Sequence, residues 1–211
     1  MNGVDPVASG IVPRLNQPGG NITGFANYEA TLGGKYLELL SEIAPGLKRA
    51  AIMFNPDLFP VSSFMPSFET AARSLKVMPI TAPVHSDGEI EPAIIALGRE
   101  PGGGLVVMPG AFTLVRRASI ISAAAQNNVP AVYVGPFYAR EGGLLSYGVD
   151  QGDILRRAAT YVDRILRGEK PGDLPVQFPT KFEMVVNLKT AKALGLAIPP
   201  SIMLRATEVI E

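Results

Sequence analysis

The chain has 211 residues, 47% of them hydrophobic and 18% charged, which is enough to bury a sizeable core. Its 19 Lys plus Arg balance 19 Asp plus Glu, so no basic surplus exists to hold a phosphate backbone, and no nucleic-acid partner is expected. With no cysteine, disulfides, thiolate metal sites and Cys nucleophiles are excluded, and no apolar run approaches the roughly 18 residues of a membrane span.

The opening MNGVDPVASG carries neither the basic nor the apolar stretch of a signal peptide, so none is expected in this sequence. Residues 1–33 are dense in Gly, Pro and Asn and read as a turn around Asn16 to Asn21 followed by an extended piece over 22–25. A helix follows over 34–43, with Tyr36, Leu37, Leu40 and Ile43 on one face and Pro45-Gly46 as its stop. RAAIMF, at 49–54, is a buried strand that leaves through the turn Asn55-Pro56-Asp57. The unit then recurs: helix 63–75, strand 77–82, helix 89–99, strand 104–108, helix 113–127, strand 131–134, a short helical piece 137–140 and strand 144–147.

The longest amphipathic stretch is 151–167, capped by Asp150 or Asp153, with Ile154, Leu155, Ala158, Tyr161, Val162, Ile165 and Leu166 as its apolar residues. Continuous apolar strands alternating with amphipathic helices predict an α/β fold, a doubly wound parallel sheet with five strands between residues 49 and 147. After the turn at 168–173 come an extended piece at 174–178, the apolar strand FEMVVN at 182–187, a helix at 189–194 and little beyond a last turn and strand. These late elements are too few to bury a core of their own and read as the edge of a second domain.

Catalytic chemistry finds no support. Gly102 to Gly104 precede their strand, so they do not form a phosphate loop, and Gly33-Gly34 opens a helix either as a plain entry or as an anion-holding pair of amides. The pairs Glu89/Glu91 and Asp150/Asp153 sit at helix starts, where acidic residues complement the dipole. His85 has no second imidazole and reads as a surface-loop residue. No catalytic residue, metal or cofactor is expected, and the chain is not read as an enzyme.

Binding chemistry at strand ends is what is left. In a parallel sheet the loops that follow strands gather on one rim, which here carries Asn55, Pro109, Phe112, Phe137, Ser146, Tyr147 and Asp150. An amino acid or similar small metabolite fits such a rim, with Asp150 on its ammonium, backbone N–H groups on its carboxylate and Phe112, Phe137 or Tyr147 along its side chain. Thr23, on the extended piece before the first helix, completes the candidate ligand residues. The competing reading, in which the aromatics are core and Asp150 is only a cap, stays open at this point.

Several segments carry a family likeness: DPVASG at 5–10, PGGNITG at 18–24, LELLSEIAP at 37–45, FNP at 54–56, GLLSYGVD at 143–150, RRAATYVDRILRG at 156–168 and PTKFEMVVNLKTAKALG at 179–195. In order and spacing they resemble the ABC-transporter substrate-binding proteins of the group that includes tryptophan and tyrosine binders. The resemblance implies a type I periplasmic-binding fold, in which two doubly wound lobes close on a ligand without catalysis. It further implies an ABC permease as partner and a location in the periplasm or cell envelope. Mapped onto this fold, 30–150 corresponds to one complete flavodoxin-like lobe, 1–29 to a crossover and remnant of the first lobe, and 151–211 to a crossover helix and the returning part of the first lobe. Family members begin with roughly one lobe's worth of additional βα units, so the chain reads as a fragment. Apolar faces on strand 182–187 and on helix 151–167 would then be uncovered, and a homodimer or an exchange of elements is expected. A ligand-sensing regulatory module built on the same lobe is the alternative function.

Overall fold

The computed structural model describes residues 6–7, 9–27, 29–59 and 61–211; Asp5 and Ala8 of the DPVASG segment lie outside the described residues. The chain forms two compact units, one made of Met1–Glu29 with Val149–Phe182 and the other of Ala30–Gly148 with Glu183–Glu211.

In chain order the elements are α1 (Leu32–Ile43), β1 (Arg49–Phe54), α2 (Met65–Leu75), β2 (Met78–Pro83), α3 (Asp87–Gly98), β3 (Gly103–Val107), α4 (Ala111–Val115), α5 (Arg117–Gln126), β4 (Ala131–Tyr133), α6 (Pro136–Arg140), β5 (Leu145–Val149), α7 (Gln151–Leu166), β6 (Phe182–Asn187), α8 (Leu188–Ala193), α9 (Pro200–Arg205) and β7 (Glu208–Ile210). The strands form one seven-stranded sheet in the order β2-β1-β3-β4-β5-β6-β7. β1 pairs parallel with β2 and β3, β3 with β4, and β4 with β5. The order of the first five strands is that of a flavodoxin-like doubly wound fold.

Burial explains the apolar runs. Ala51, Met53, Leu105, Val107, Ala131 and Tyr133 turn toward a core filled by Ile90, Ile94 and Leu97 of α3 and Ile120, Ala123 and Ala124 of α5. α1 buries Tyr36, Leu37, Leu40 and Ile43 completely. Its first turn approaches α2 so closely that a Cβ on Gly33 would stand 2.4 Å from the Phe64 carbonyl oxygen, and one on Gly34 2.9 Å from that of Ser67. The Gly34 N–H donates to Ser67 Oγ at 3.2 Å. The glycine pair therefore serves helix packing, not anion binding, because α2 occupies the space in front of its amides.

Two expectations require correction. The single helix foreseen at 113–127 is broken into α4 and α5 at Arg116, whose φ of −98° and ψ of 10° leave the helical region. More consequential is the end of the chain, which was assigned to the first lobe. β6 is instead seated between β5 and β7, with Met184, Val185 and Val186 at most 2% exposed, so this strand is covered. Its register with β5 runs antiparallel, since Asn187 N–H donates to the Leu144 carbonyl while Asp150 N–H donates to that of Lys181. Four consecutive buried residues need a neighbour on each side, and β5 and β7 supply them.

The other unit is built around α7. The Asp150 carboxylate accepts the Asp153 N–H at 2.9 Å as its N-cap. Ile154 and Tyr161 are buried, the Tyr161 ring lies 4.9 Å from that of Phe25, and its hydroxyl donates to the Pro175 carbonyl at 2.8 Å. Beneath them, two extended segments are tied by Val176 N–H to Leu15 O at 2.8 Å, Gln177 N–H to Gly24 O at 3.1 Å and Ala26 N–H to Gln177 O at 2.8 Å. Of the apolar residues expected to form one face of this helix, Leu155, Val162 and Leu166 point outward, being 69%, 55% and 81% exposed.

Candidate functional site

The order of the sheet reverses between β1 and β3, and at such a switch point the loops leaving the two strands diverge and open a crevice at the carboxyl edge. On the β1 side, Asn55 is 6% exposed and spends its amide internally. Its Nδ2 donates to the Val84 carbonyl at 2.9 Å, and its Oδ1 accepts the N–H groups of Asp57 and Leu58 at 3.0 and 3.1 Å. Asn55 therefore shapes the crevice wall by joining the turn after β1 to the one after β2. Beyond it, His85 Nδ1 lies 3.0 Å from Asp57 Oδ2, and Glu89 accepts the His85 N–H at 2.8 Å and the Ser86 hydroxyl at 3.0 Å. Those two donors hold the Glu89 carboxyl below its ordinary value.

On the β3 side Pro109 lies in the exit loop, whose turn is pinned by the Thr113 hydroxyl on the Met108 carbonyl at 2.9 Å. Phe112 is 7% exposed and belongs to the core; the Arg116 guanidinium covers it at 4.0 Å and reaches on to the Asp87 carboxylate. Phe137 is partly buried at the start of α6, its ring 4.9 Å from that of Tyr138. Gly135 has a φ of 113°, and a Cβ there would meet the Phe137 ring at 2.8 Å. Gly148 is also closely packed, since a Cβ would lie 3.1 Å from the Gly135 nitrogen.

On β5, Ser146 is fully buried and its Oγ has no hydrogen-bond partner among the described residues. Tyr147 is half-buried and its ring meets that of Tyr36 edge-on at 6.3 Å. Opposite Ser146 in the register stands Tyr133, stacked on Tyr138 at 5.0 Å, and burial together with this neighbour pushes its phenol well above the usual range.

Six expected residues, Asn55, Pro109, Phe112, Phe137, Ser146 and Tyr147, thus lie at the carboxyl edge of the second unit, three of them, Asn55, Phe112 and Ser146, turned inward as brace or core. Thr23 and Asp150 belong to the other unit. The Thr23 hydroxyl is committed to the Leu174 carbonyl at 2.6 Å. Sequence reasoning missed Tyr36 as the partner of Tyr147 and Arg116 as the cover of Phe112. No local pattern in the run 113–127 signals the latter.

The described groove of the second unit, about 610 Å³ in volume, lies at the other edge of the sheet, among Pro45, Leu97, Arg99, Pro101, Asn127 and Leu194. Its walls are helix ends and strand starts, whereas open α/β sheets bind ligands outside the carboxyl ends. Among the described residues, no group of three or more His, Cys, Asp or Glu could hold a metal ion, and no helix is long and apolar enough to cross a membrane.

A flavodoxin-ordered sheet with its loops gathered at a switch point is the lobe of a periplasmic-binding-type fold, and solved structures carry the same architecture. The family described as ABC transporter substrate binding protein matches residues 1–210, and the chain belongs to it. It is similar to the tyrosine-binding protein of Clostridioides difficile strain R20291, with 25% identity over 193 residues, 91% of this chain and 55% of the relative. A conserved domain protein of Vibrio cholerae superposes with a TM-score of 0.84 at 28% identity, covering 97% of this chain and 68% of that one. An ABC domain in complex with L-Trp from Streptococcus pneumonia also superposes with a TM-score of 0.84, at 24% identity, over 98% and 69% of the respective chains. The chain thus spans about half the length of the curated relative it matches.

Proposed function

We propose that this chain acts in solute capture for an ABC importer, holding an aromatic amino acid at the carboxyl edge of the seven-stranded sheet and releasing it unchanged. The observation that supports this most is the switch point between β1 and β3, where the rim is stiffened by Asn55 and by the His85, Asp57 and Glu89 contacts before any ligand arrives. A stiff rim loses little entropy on binding. Tyr147 offers the ligand ring an aromatic surface. The family match and the printed ligands of two relatives, tyrosine and L-Trp, favour the aromatic class over other metabolites. The same membership favours an ABC permease as partner and a working location outside the cytoplasm.

The test is a thermal-shift panel of the amino acids on the whole chain. L-Trp or L-Tyr should raise Tm. Tyr147→Ala should weaken the response by about 2- to 10-fold in affinity, the worth of one aromatic contact. A panel in which no amino acid shifts Tm would contradict the ligand class.

A further inference from the structure

Arg116 and Asp87 form an ion pair across the switch point. Asp87 is the first residue of α3, just past the end of β2, and Arg116 stands where α4 gives way to α5, past the end of β3. β1 lies between those two strands in the sheet, so the pair closes over the exit of β1. The guanidinium is held from below: its central carbon lies 4.0 Å from the centre of the Phe112 ring, and Nη1 donates to the Phe112 carbonyl at 3.5 Å. Nε donates to Asp87 Oδ1, and Nη2 has no hydrogen-bond partner among the described residues. The side chains differ in exposure, 29% for Arg116 against 74% for Asp87, so the guanidinium is the fixed member and the carboxylate the loose one. An exposed pair of this kind contributes little stability, and its carboxylate can leave at small cost. The other charged groups described at the exits of β1 and β2, Asp57, His85 and Glu89, are tied to one another.

We infer that Arg116 receives the carboxylate of the ligand and that Asp87 holds its place until the ligand arrives; this rests on the amino-acid reading above and names the residue that recognises one end of the molecule. Asp87 shows the chemistry in miniature. One of its oxygens already sits on Nε, and the edge formed by Nε and Nη2 matches both oxygens of a carboxylate in a bidentate fork. Asp87 takes one of those two donors, whereas an α-carboxylate free to turn can take both. The exchange also keeps negative charge in front of the first turn of α3, where the helix dipole favours it. A ligand without a carboxylate has no means to displace Asp87. Capture at this rim therefore selects amino acids over the corresponding amines.

Calorimetric titration of the chain with L-Trp and with tryptamine, which lacks the carboxylate, tests this. Arg116→Gln should weaken L-Trp about tenfold or more and leave tryptamine, the weaker ligand, unchanged. Asp87→Asn should tighten L-Trp about 2- to 5-fold, since the competing carboxylate is gone. Opposite signs separate exchange from bracing: a pair that only stiffened the rim would give weaker binding in both variants. Loss in both, or an L-Trp affinity indifferent to Arg116→Gln, overturns the exchange. An equal loss for L-Trp and tryptamine in Arg116→Gln gives that residue a structural role and overturns it as well. L-Trp that fails to bind the unaltered chain removes the amino-acid reading itself, and this inference with it.

Discussion

Gly33 determines how closely α1 can approach α2. Because the atom a Cβ would strike is the backbone oxygen of Phe64 at 2.4 Å, no side-chain rotation relieves the clash. Gly33→Ala should therefore destabilise the chain by about 1–3 kcal/mol, as overpacking does, seen as a lower urea midpoint at unchanged slope. Glu89 sets a pH dependence. Its folded pKa is depressed by the His85 N–H and the Ser86 hydroxyl, so its stabilising contribution is complete above its ordinary value of 4.5 and is lost as pH falls through the lower folded value. Wild type and Glu89→Gln should differ in Tm near neutral pH and converge in acid; curves that stay parallel down to acid pH would remove this role. At this level the sequence was readable where chemistry is local. Asp150 as a cap and Asn55 as a turn residue follow from type and position. The tie of Asn55 to Val84 and the burial of Phe112 beneath Arg116 do not, since each partner arrives from another element and only the folded sheet brings it near.

β2 shows how an exposed sheet edge is kept from pairing. Met78 and Val84 turn their N–H groups inward, to the carbonyls of Lys48 and Phe54, so the alternate positions 79, 81 and 83 face outward. Pro79 and Pro83 have no N–H, which leaves Thr81 as the one outward donor on the strand. Pro79→Thr combined with Pro83→Val should leave secondary structure intact and raise light scattering on concentration. A variant as soluble as the wild type would show that the prolines do not guard the edge. Most elements were legible to within two residues because the helical and strand periods differ so clearly, as in RAAIMF against the helix that follows Gly33. α9 was missed, being a short stretch between Pro199-Pro200 and Ala206 that reads as a turn. The break at Arg116 was missed because nothing in the run 113–127 interrupts its helical pattern.

The division into two units follows the sheet, not the order of the sequence. Chain order suggested that everything after residue 150 leaves the lobe of residues 30–150, yet 183–211 returns to it as β6, α8, α9 and β7. Hydrogen bonds made far from their own segment hold that return: Asn187 Nδ2 to the Ala139 carbonyl at 3.0 Å and the Thr190 hydroxyl to the Gly142 carbonyl at 2.8 Å. No local pattern announces them. Asn187→Ala removes the side-chain donor that ties β6 to the Ala139 carbonyl and the cap of α8, and should cost about 1–3 kcal/mol in denaturant unfolding. A loss below about 0.5 kcal/mol would show that the return is held elsewhere. The family likeness, by contrast, was visible along the whole chain, because motif order survives where contacts cannot be foreseen. The chain contains no tryptophan, so the emission of added L-Trp can be followed without background. Titrating the chain into L-Trp should blue-shift that emission to saturation as the indole leaves water, and L-Tyr should reverse the shift by competition. An L-Trp emission maximum that does not move, at protein concentrations up to the submillimolar range, would contradict aromatic amino-acid binding by this chain.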